Sequence, residues 1–304
     1  MMWGNWPWYI FALIAAGCIG VKTVLQKSEL KKEHSLDYVV VMSLISMAVA
    51  LFLWPWVKWG DINWQLIGYI YLASVLGSLS IWLGAKALRH LDISLVSPQE
   101  VLTTVFTLLF AYFLLGDHLT GIQWVGVAVL LIGGLMLTRD SFVTSHSFGW
   151  LASLQIGNLY NKKNVLFFEL LLLLSMIFLG LSSIVDKMVL QQTGTITFIF
   201  LVSIFLFINH LLIYTLVVGD VRKIPKKVDK LGWTIVLIAI LTTVSRLSYA
   251  QSLGLAELSL VIPVKKSSIL ISTIWGGKLF KEGHLWLRLA IAGLMLVGVW
   301  LVVK

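Results

Sequence analysis

The segment SLVIPVKKSSIL, residues Ser259 to Leu270, places a proline, two adjacent lysines and three serines inside one of the most apolar parts of the chain. Its first five residues repeat SLVSP, residues Ser94 to Pro98, at four of five positions. The two copies are 165 residues apart. This spacing, together with the apolar surroundings of both copies, decides the fold that the sequence predicts.

The composition of the chain predicts an integral membrane protein. Of its 304 residues, 59% are hydrophobic and only 12% are charged, whereas a soluble domain is about 45–50% apolar and about 25% charged. Several apolar runs approach the ~20 residues needed to cross a bilayer. Their continuous, leucine-rich character favours helices over the alternating strands of a membrane barrel. The single cysteine, Cys18, excludes an intramolecular disulfide and a cysteine-based metal site.

Apolar runs separated by short charged segments predict ten membrane spans. The expected spans are Trp8–Gln26, Tyr38–Val57, Leu66–Leu88, Ile93–Leu115, Ile122–Thr138, Val165–Leu190, Ile196–Val218, Leu231–Leu253, Leu258–Phe280 and Leu285–Val303. Loops that follow odd-numbered spans hold 15 basic residues, and the other side of the membrane holds 3. The positive-inside rule therefore predicts cytoplasmic odd loops and both termini outside. A net charge of +9 is explained by this bias and does not indicate nucleic-acid binding.

The same offset of 165 residues relates several separate spans. KTVLQK, beginning at Lys22, falls on KMVLQQ, beginning at Lys187, with four of six residues identical, and Gly133 falls on Gly298. Because each unit would contain five spans, an odd number, the second unit must enter the membrane from the opposite side. The sequence thus predicts an all-α protein of two inverted five-helix repeats around a central cavity. Its expected parts are residues 1–138, a connecting segment at 139–164 that hints at an interfacial helix, and residues 165–304.

Pro98 and Pro263 are equivalent positions within the fourth and ninth expected spans. Each proline removes a backbone hydrogen-bond donor and bends its helix. In inverted-repeat transporters the substrate binds near the midplane between the halves, often beside such discontinuous helices. We therefore expect both kinks to shape a central cavity.

Residues Ala87–Leu137 and Ser252–Gly298 share an S-x-V-x-P pattern, an apolar span, a [GK]-[DE] pair and a closing glycine-rich helix. In these features the chain resembles the EamA repeats of the drug/metabolite transporter superfamily, across both halves. The resemblance implies ten helices, a central cavity and secondary transport of a small metabolite, but no particular substrate. The position of the lysine doublet is also similar to that of a basic pair in the plastid triose-phosphate translocators.

Three basic residues, Arg246, Lys265 and Lys266, fall at mid-helix, where a charge costs roughly 2.5–3.5 kcal/mol on insertion scales. Such residues usually face a cavity or a partner. We expect them to form a cationic substrate site for a phosphate, carboxylate or sulfonate group. Lys22 and Arg288 lie closer to helix ends, where they can snorkel. The expected substrate-binding set is Lys265, Lys266, Arg246, Glu100, Tyr249 and Ser267.

Glu100 and Glu169 are the acidic candidates to offset this positive charge, and Glu100 is the repeat mate of Lys265. His210, midway along the seventh span, adds a titratable group. Glu100, Glu169 and His210 are therefore the candidates for coupling to protons, with exchange against another metabolite as the alternative. The residues leave the direction of transport open between export and import. The family resemblance favours export of amino acids or related metabolites, with sugar phosphates or organic acids as the other candidates.

Other functional classes fit the sequence less well. An enzyme would need clustered carboxylates or a metal constellation, whereas the 14 acidic residues are scattered and no histidine pair has ligand spacing. The P-loop motif for ATP is absent, and no cofactor or metal is expected. The alternative is an integral-membrane channel, or an enzyme acting on an anionic lipid or metabolite, although a kinked centre of mixed charge suits a closed binding site better. The predicted location is the plasma (inner) membrane.

Overall fold

The computed structural model describes residues 7–110, 112–113, 120–144, 157–190, 192–255, 261 and 264–304. Within these ranges the regular elements are helices, and no strand occurs. The helices are α1 (Trp8–Lys32), α2 (Ser35–Leu51), α3 (Trp64–His90), α4 (Ile93–Gln99), α5 (Leu102–Phe110), α6 (Gly121–Thr144), α7 (Gly157–Leu190), α8 (Thr195–Val217), α9 (Ile224–Leu255), α10 (Ser268–Ile271), α11 (Gly277–Leu279) and α12 (Leu285–Val303).

Seven helical segments of the described residues are long and apolar enough to cross a membrane. Two further apolar helices, Ser35–Leu51 and Gly121–Leu137, are shorter. Large apolar side chains are also exposed on the outside of the helices, among them Phe52 at 80% and Leu216 at 86%. A surface of this kind suits contact with lipid rather than water. The chain is an integral membrane protein built from helices.

Several helix boundaries differ from those expected. Helix α2 ends at Leu51 instead of Val57, since the chain then forms a 3₁₀ turn, Trp54–Trp56, around a proline that cannot continue the α-helical hydrogen bonds. Helix α7 begins at Gly157 instead of Val165, and α9 begins at Ile224 instead of Leu231. Gly232, with φ 58° and ψ −147°, separates the first residues of α9 from its apolar part.

The hinted interfacial helix of the connecting segment lies mostly outside the described residues. Phe148, Leu151 and Gln155, which suggested it, are not described, and Leu159 belongs to α7. Helix α6 continues to Thr144, so both neighbouring helices extend into the segment from 139 to 164.

The fourth span is broken just after Pro98. Helix α4 ends at Gln99, and the amides of Val101 and Thr103 then bond to the carbonyls of Pro98 and Glu100, three residues back. These tighter bonds replace the α-helical pattern until α5 begins at Leu102. Glu100 thereby lies at the break itself.

The ninth span is also discontinuous. A helical turn at 264–266 leads through Ser267 into α10, and Ser272–Gly276 then forms a π-helical segment before α11. Single π-helical turns of this kind occur frequently at functional sites. Pro263, the second expected kink, lies outside the described residues.

The most extensive helix pairs are α3 with α7, α1 with α9, and α6 with α12. Helix α2 packs against both α8 and α9, and α3 also packs against α8. The broken spans meet each other, because α4 contacts the π-helical segment Ser272–Gly276. Each broken span also contacts a long helix, α5 against α7 and α10 against α1.

Candidate functional site

Charged side chains from five parts of the chain interact electrostatically; Glu100 is exposed and the others are half-buried. Glu100 interacts electrostatically with Lys266 and with Lys22 of α1. Asp186 of α7 interacts with Arg246 of α9. These residues and Lys265 form what we call the central charge cluster: Lys22, Glu100, Asp186, Arg246, Lys265 and Lys266.

Lys265 differs from the other members of the cluster in its surroundings. Its charged neighbours are Lys266, Arg246 and Lys22, all of which repel it. The Lys265 Nζ lies 3.4 Å from the centroid of the Tyr249 ring, a cation–π contact. Among the described residues no carboxylate is given as a neighbour of Lys265, so the attraction for its ammonium group comes from the face of the Tyr249 ring.

The local structure explains how Glu100 and the lysine doublet reach the cluster. Glu100 projects from the break between α4 and α5, and Lys265 and Lys266 from the turn that precedes α10. The Ser267 hydroxyl donates a 2.6 Å hydrogen bond to the Val264 carbonyl within that turn. Ser267 thus stabilises the turn beside the lysines, and its hydroxyl oxygen remains able to accept a hydrogen bond.

The structure does not bring every expected residue together. Glu169 is 3% exposed and lies 17 residues before Asp186 on α7, which places the two about 25 Å apart along the helix. His210, 2% exposed on α8, lines a small cavity together with Arg246, and its Nε2 lies 3.3 Å from the Ser78 carbonyl oxygen. Of the coupling candidates, Glu100 alone belongs to the central charge cluster.

Two members of the cluster were not predicted from the sequence. Lys22 was expected to snorkel from a helix end, but it interacts with Glu100 and Arg246. Asp186, in the last turns of an expected span, was not among the expected site residues. The available signal was its charge within a long apolar run, since intramembrane carboxylates are rare and usually functional.

Arg288 was also expected to snorkel, and this prediction is wrong. Its side chain is 0% exposed and donates hydrogen bonds to Asp92 (2.9 Å) and to the Ser94 hydroxyl (2.6 Å). The Glu282 carboxylate, 3.8 Å from Arg288, accepts hydrogen bonds from the amides of Ile93 and Ser94 at the start of α4. A guanidinium so close to carboxylates is better stabilised inside the protein than at the headgroups.

Two further lysines join neighbouring elements near helix ends. Lys27 of α1 donates to the carbonyls of Leu88 and Leu91, which end α3. Lys227, outside the apolar part of α9, bridges Asp37 (2.8 Å) and Glu33 (3.3 Å) near the start of α2. Its hydrogen bond to Asp37 raises the pKa of Lys227 above its ordinary value.

Comparison with known proteins places this architecture in a family. The sequence profile described as the EamA-like transporter family matches the chain twice, at residues 6–139 and 166–304. The chain belongs to the EamA-like transporter family. This EamA protein is also similar to an "uncharacterized transporter in cobO 3'region" from Sinorhizobium sp., with 28% identity over 137 residues, covering 43% of this chain and 95% of the relative.

The fold of this EamA protein has a counterpart among solved structures. The crystal structure of another protein superposes on this chain with a TM-score of 0.58 at 15% sequence identity. The match covers 94% of this chain and 95% of the other. At this identity the likeness concerns the fold alone.

Proposed function

We propose that this EamA protein is a secondary transporter that moves a small anionic or zwitterionic metabolite by alternating access, with the central charge cluster as its substrate site. The observation that carries the proposal is the charge balance of the cluster. Four of its members are basic and two are acidic, so two positive charges are not offset within it. Uncompensated charge at this depth is costly and is retained mainly for binding or transport.

The charge pattern suits a substrate with a carboxylate, phosphate or sulfonate group. Lysine and arginine form their strongest hydrogen bonds with such anions. Lys265 has an aromatic contact and no carboxylate neighbour given by the structure, so its ammonium is the group most available to a substrate. Glu100, beside Lys22 and Lys266, acts as a counter-ion, and together with Asp186 it lowers the formal charge of the empty site from four positive charges to two.

We also propose the ten-span arrangement in two inverted repeats, with residues 1–138 and 165–304 as the halves. The family profile matches the chain twice, which supports an internal duplication. The helix contacts also support the repeat. In a two-fold arrangement α1 corresponds to α7, α2 to α8 and α3 to α9. Under this correspondence the contact α3–α7 becomes α1–α9 and the contact α2–α9 becomes α3–α8, and all four contacts are present. A two-fold relation produces such an exchange.

In this arrangement the cluster lies between the two halves. Lys22 and Glu100 belong to the first half, whereas Asp186, Arg246, Lys265 and Lys266 belong to the second. Substrate sites of inverted-repeat transporters lie at this interface, where rocking of one half against the other exposes them alternately. The broken fourth and ninth spans contribute Glu100 and the lysines at their breaks.

The proposed orientation has cytoplasmic odd loops and both termini outside, in the plasma membrane. The excess of basic residues in the odd loops supports it. Exposed tryptophans between α2 and α3, on the less basic side, suit a position among lipid headgroups. They are Trp54, Trp56, Trp59 and Trp64.

A ligand-induced thermal shift of the purified protein tests the proposed site. The probes are inorganic phosphate, L-malate, succinate, L-aspartate, L-alanine and glycerol 3-phosphate. We expect at least one anion to raise the melting temperature, and Lys265→Met and Arg246→Met to abolish this rise. Lys278→Met, which changes an exposed lysine of the same span, is the matched control. A rise that persists in both site variants would contradict the proposal.

A further inference from the structure

A small cavity adjoins the central charge cluster at Arg246. It has a volume of about 40 Å³, which gives room for a hydroxyl, an amino group or a few water molecules but not for a whole metabolite. Four helices, α2, α3, α8 and α9, form its wall. Its polar lining residues are Ser43, Ser46, Ser203, His210, Thr242 and Arg246.

Most of the cavity wall is apolar and comes from Val39, Met42, Ile81 and Leu206, so the hydroxyl groups of the lining supply its few acceptors. Ser43 donates its proton to the Val40 carbonyl at 2.9 Å. Ser203 and Thr242 donate to carbonyls four residues earlier in their own helices, both at 2.7 Å. A hydroxyl has one proton and two acceptor lone pairs. With their protons used within the helices, these side chains have only lone pairs left for a ligand.

His210 adds a further acceptor. Its Nε2 lies 3.3 Å from the Ser78 carbonyl oxygen, and because a carbonyl can only accept, Nε2 must carry the proton in a neutral ring. Nδ1 then has a free lone pair, and it has no hydrogen-bond partner among the described residues.

We propose that this cavity binds a hydrogen-bond donor of the substrate, an ammonium or hydroxyl group located next to the acidic group that the cluster holds. Arg246 joins the two parts of the site, since it lines the cavity and belongs to the cluster. The inference rests on the proposed function and narrows it. Anions that carry a hydrogen-bond donor next to the acidic group should bind tightly. Anions of the same size without this donor should bind more weakly, because the acceptors of the cavity would stay unpaired.

Three four-carbon probes of equal length test this inference: L-aspartate with an ammonium group, L-malate with a hydroxyl group, and succinate with neither. Affinities are measured by isothermal titration on the full chain in detergent. We expect aspartate or malate to bind about tenfold more tightly than succinate, as one well-made hydrogen bond provides. The tighter of the two shows whether the donor is an ammonium or a hydroxyl group.

Two variants connect the preference to the cavity. His210→Leu and Thr242→Val should reduce the ratio of affinities towards one while succinate binding changes little. Thr243→Val is the matched control, because Thr243 is a buried neighbour with the same type of bond, to the Ala239 carbonyl, and does not line the cavity. Melting temperatures without ligand show that each variant is folded.

The outcomes separate this inference from the proposed function. Equal affinities for all three probes, or an unchanged ratio in both cavity variants, would overturn the inference and leave an anion site standing. No binding of these probes, together with no thermal shift by any other anion, would overturn both.

Discussion

Lys265 lies among positive charges and against an aromatic face. Its neighbours Lys266, Arg246 and Lys22 all disfavour its charge, and the Tyr249 ring offsets only part of this repulsion. A residue selected for stability alone would not be placed there, since like charges in a low-dielectric environment raise the free energy of the folded state. In the proposed site an incoming anion would remove this penalty.

Lys265→Met is therefore expected to stabilise the protein without ligand while removing its response to anions. Replacement of a half-buried, poorly compensated charge by an apolar side chain of similar length should add about 1–3 kcal/mol to the free energy of unfolding. Thermal unfolding in detergent measures this change. A large fall in melting temperature would mean that Lys265 has a structural role.

Arg288 presents the opposite case, because carboxylates surround it. Arg288→Met should lower the free energy of unfolding by about 3–5 kcal/mol, since Asp92 and Glu282 lose their buried partner. The exposed Lys278→Met serves as the control. A second change, Asp92→Asn, should restore part of the loss, and its failure to do so would contradict the assigned pairing.

His34 makes the stability of the protein dependent on pH. It lies between α1 and α2, and its Nδ1 accepts a hydrogen bond from the Leu36 amide at the start of α2. Burial, and then the nearby Arg89, lowers the pKa of His34 below its ordinary value of 6.5. The unfolded chain therefore binds a proton at His34 more readily than the folded chain does. The contribution of neutral His34 to the free energy of unfolding is present above pH 6.5 and is lost as the pH falls through the lowered pKa.

His34→Asn should weaken this dependence, because asparagine caps a helix but does not titrate in this range. Melting temperatures of the protein and the variant are compared between about pH 7 and pH 5. The variant should show the smaller fall on acidification. Equal slopes would assign the pH dependence to other groups.

At the scale of helices, the contact between α6 and α12 depends on glycine. A Cβ atom on Gly126 would lie 2.7 Å from the Val302 amide nitrogen and 2.8 Å from the Gly298 carbonyl oxygen. Both atoms belong to the backbone, so neither can move away without shifting the helix. Small residues allow such close approach between membrane helices.

Gly126→Ala should therefore lower the free energy of unfolding by about 1–3 kcal/mol through overpacking. Gly293→Ala in α12 is the matched control, because its new Cβ would meet nothing within 4 Å. Alanine favours the helix by up to about 1 kcal/mol, so the control should be neutral or stabilising. Similar losses in both variants would argue against the α6–α12 contact.

The positions of the helices could be predicted from the sequence, but their rotations could not. Apolar runs located the long helices, and Pro98 marked the region where the fourth span breaks. Which side chains face each other depends on packing between helices far apart in the chain. Lys22, Asp186 and Arg288 were missed or misassigned for this reason, since hydropathy gives a residue's depth and not its partner.

At the scale of the whole molecule, the helix contacts support the proposed arrangement of two inverted halves. In that arrangement the long pairs α3–α7 and α1–α9 each join one half to the other. A rocking motion would separate one pair of contacts while tightening its counterpart. The proposed transport would then require a substrate that neutralises the cluster between these pairs.

Flux into proteoliposomes tests this central claim most directly. The anion with the largest thermal shift is supplied outside as a radiolabelled probe, with and without the same unlabelled anion inside. We expect uptake that saturates, accelerates when the inside is loaded, disappears in Lys265→Met and persists in Lys278→Met. Uptake that stays linear with concentration, or that Lys265→Met leaves unchanged, would contradict transport through the charge cluster.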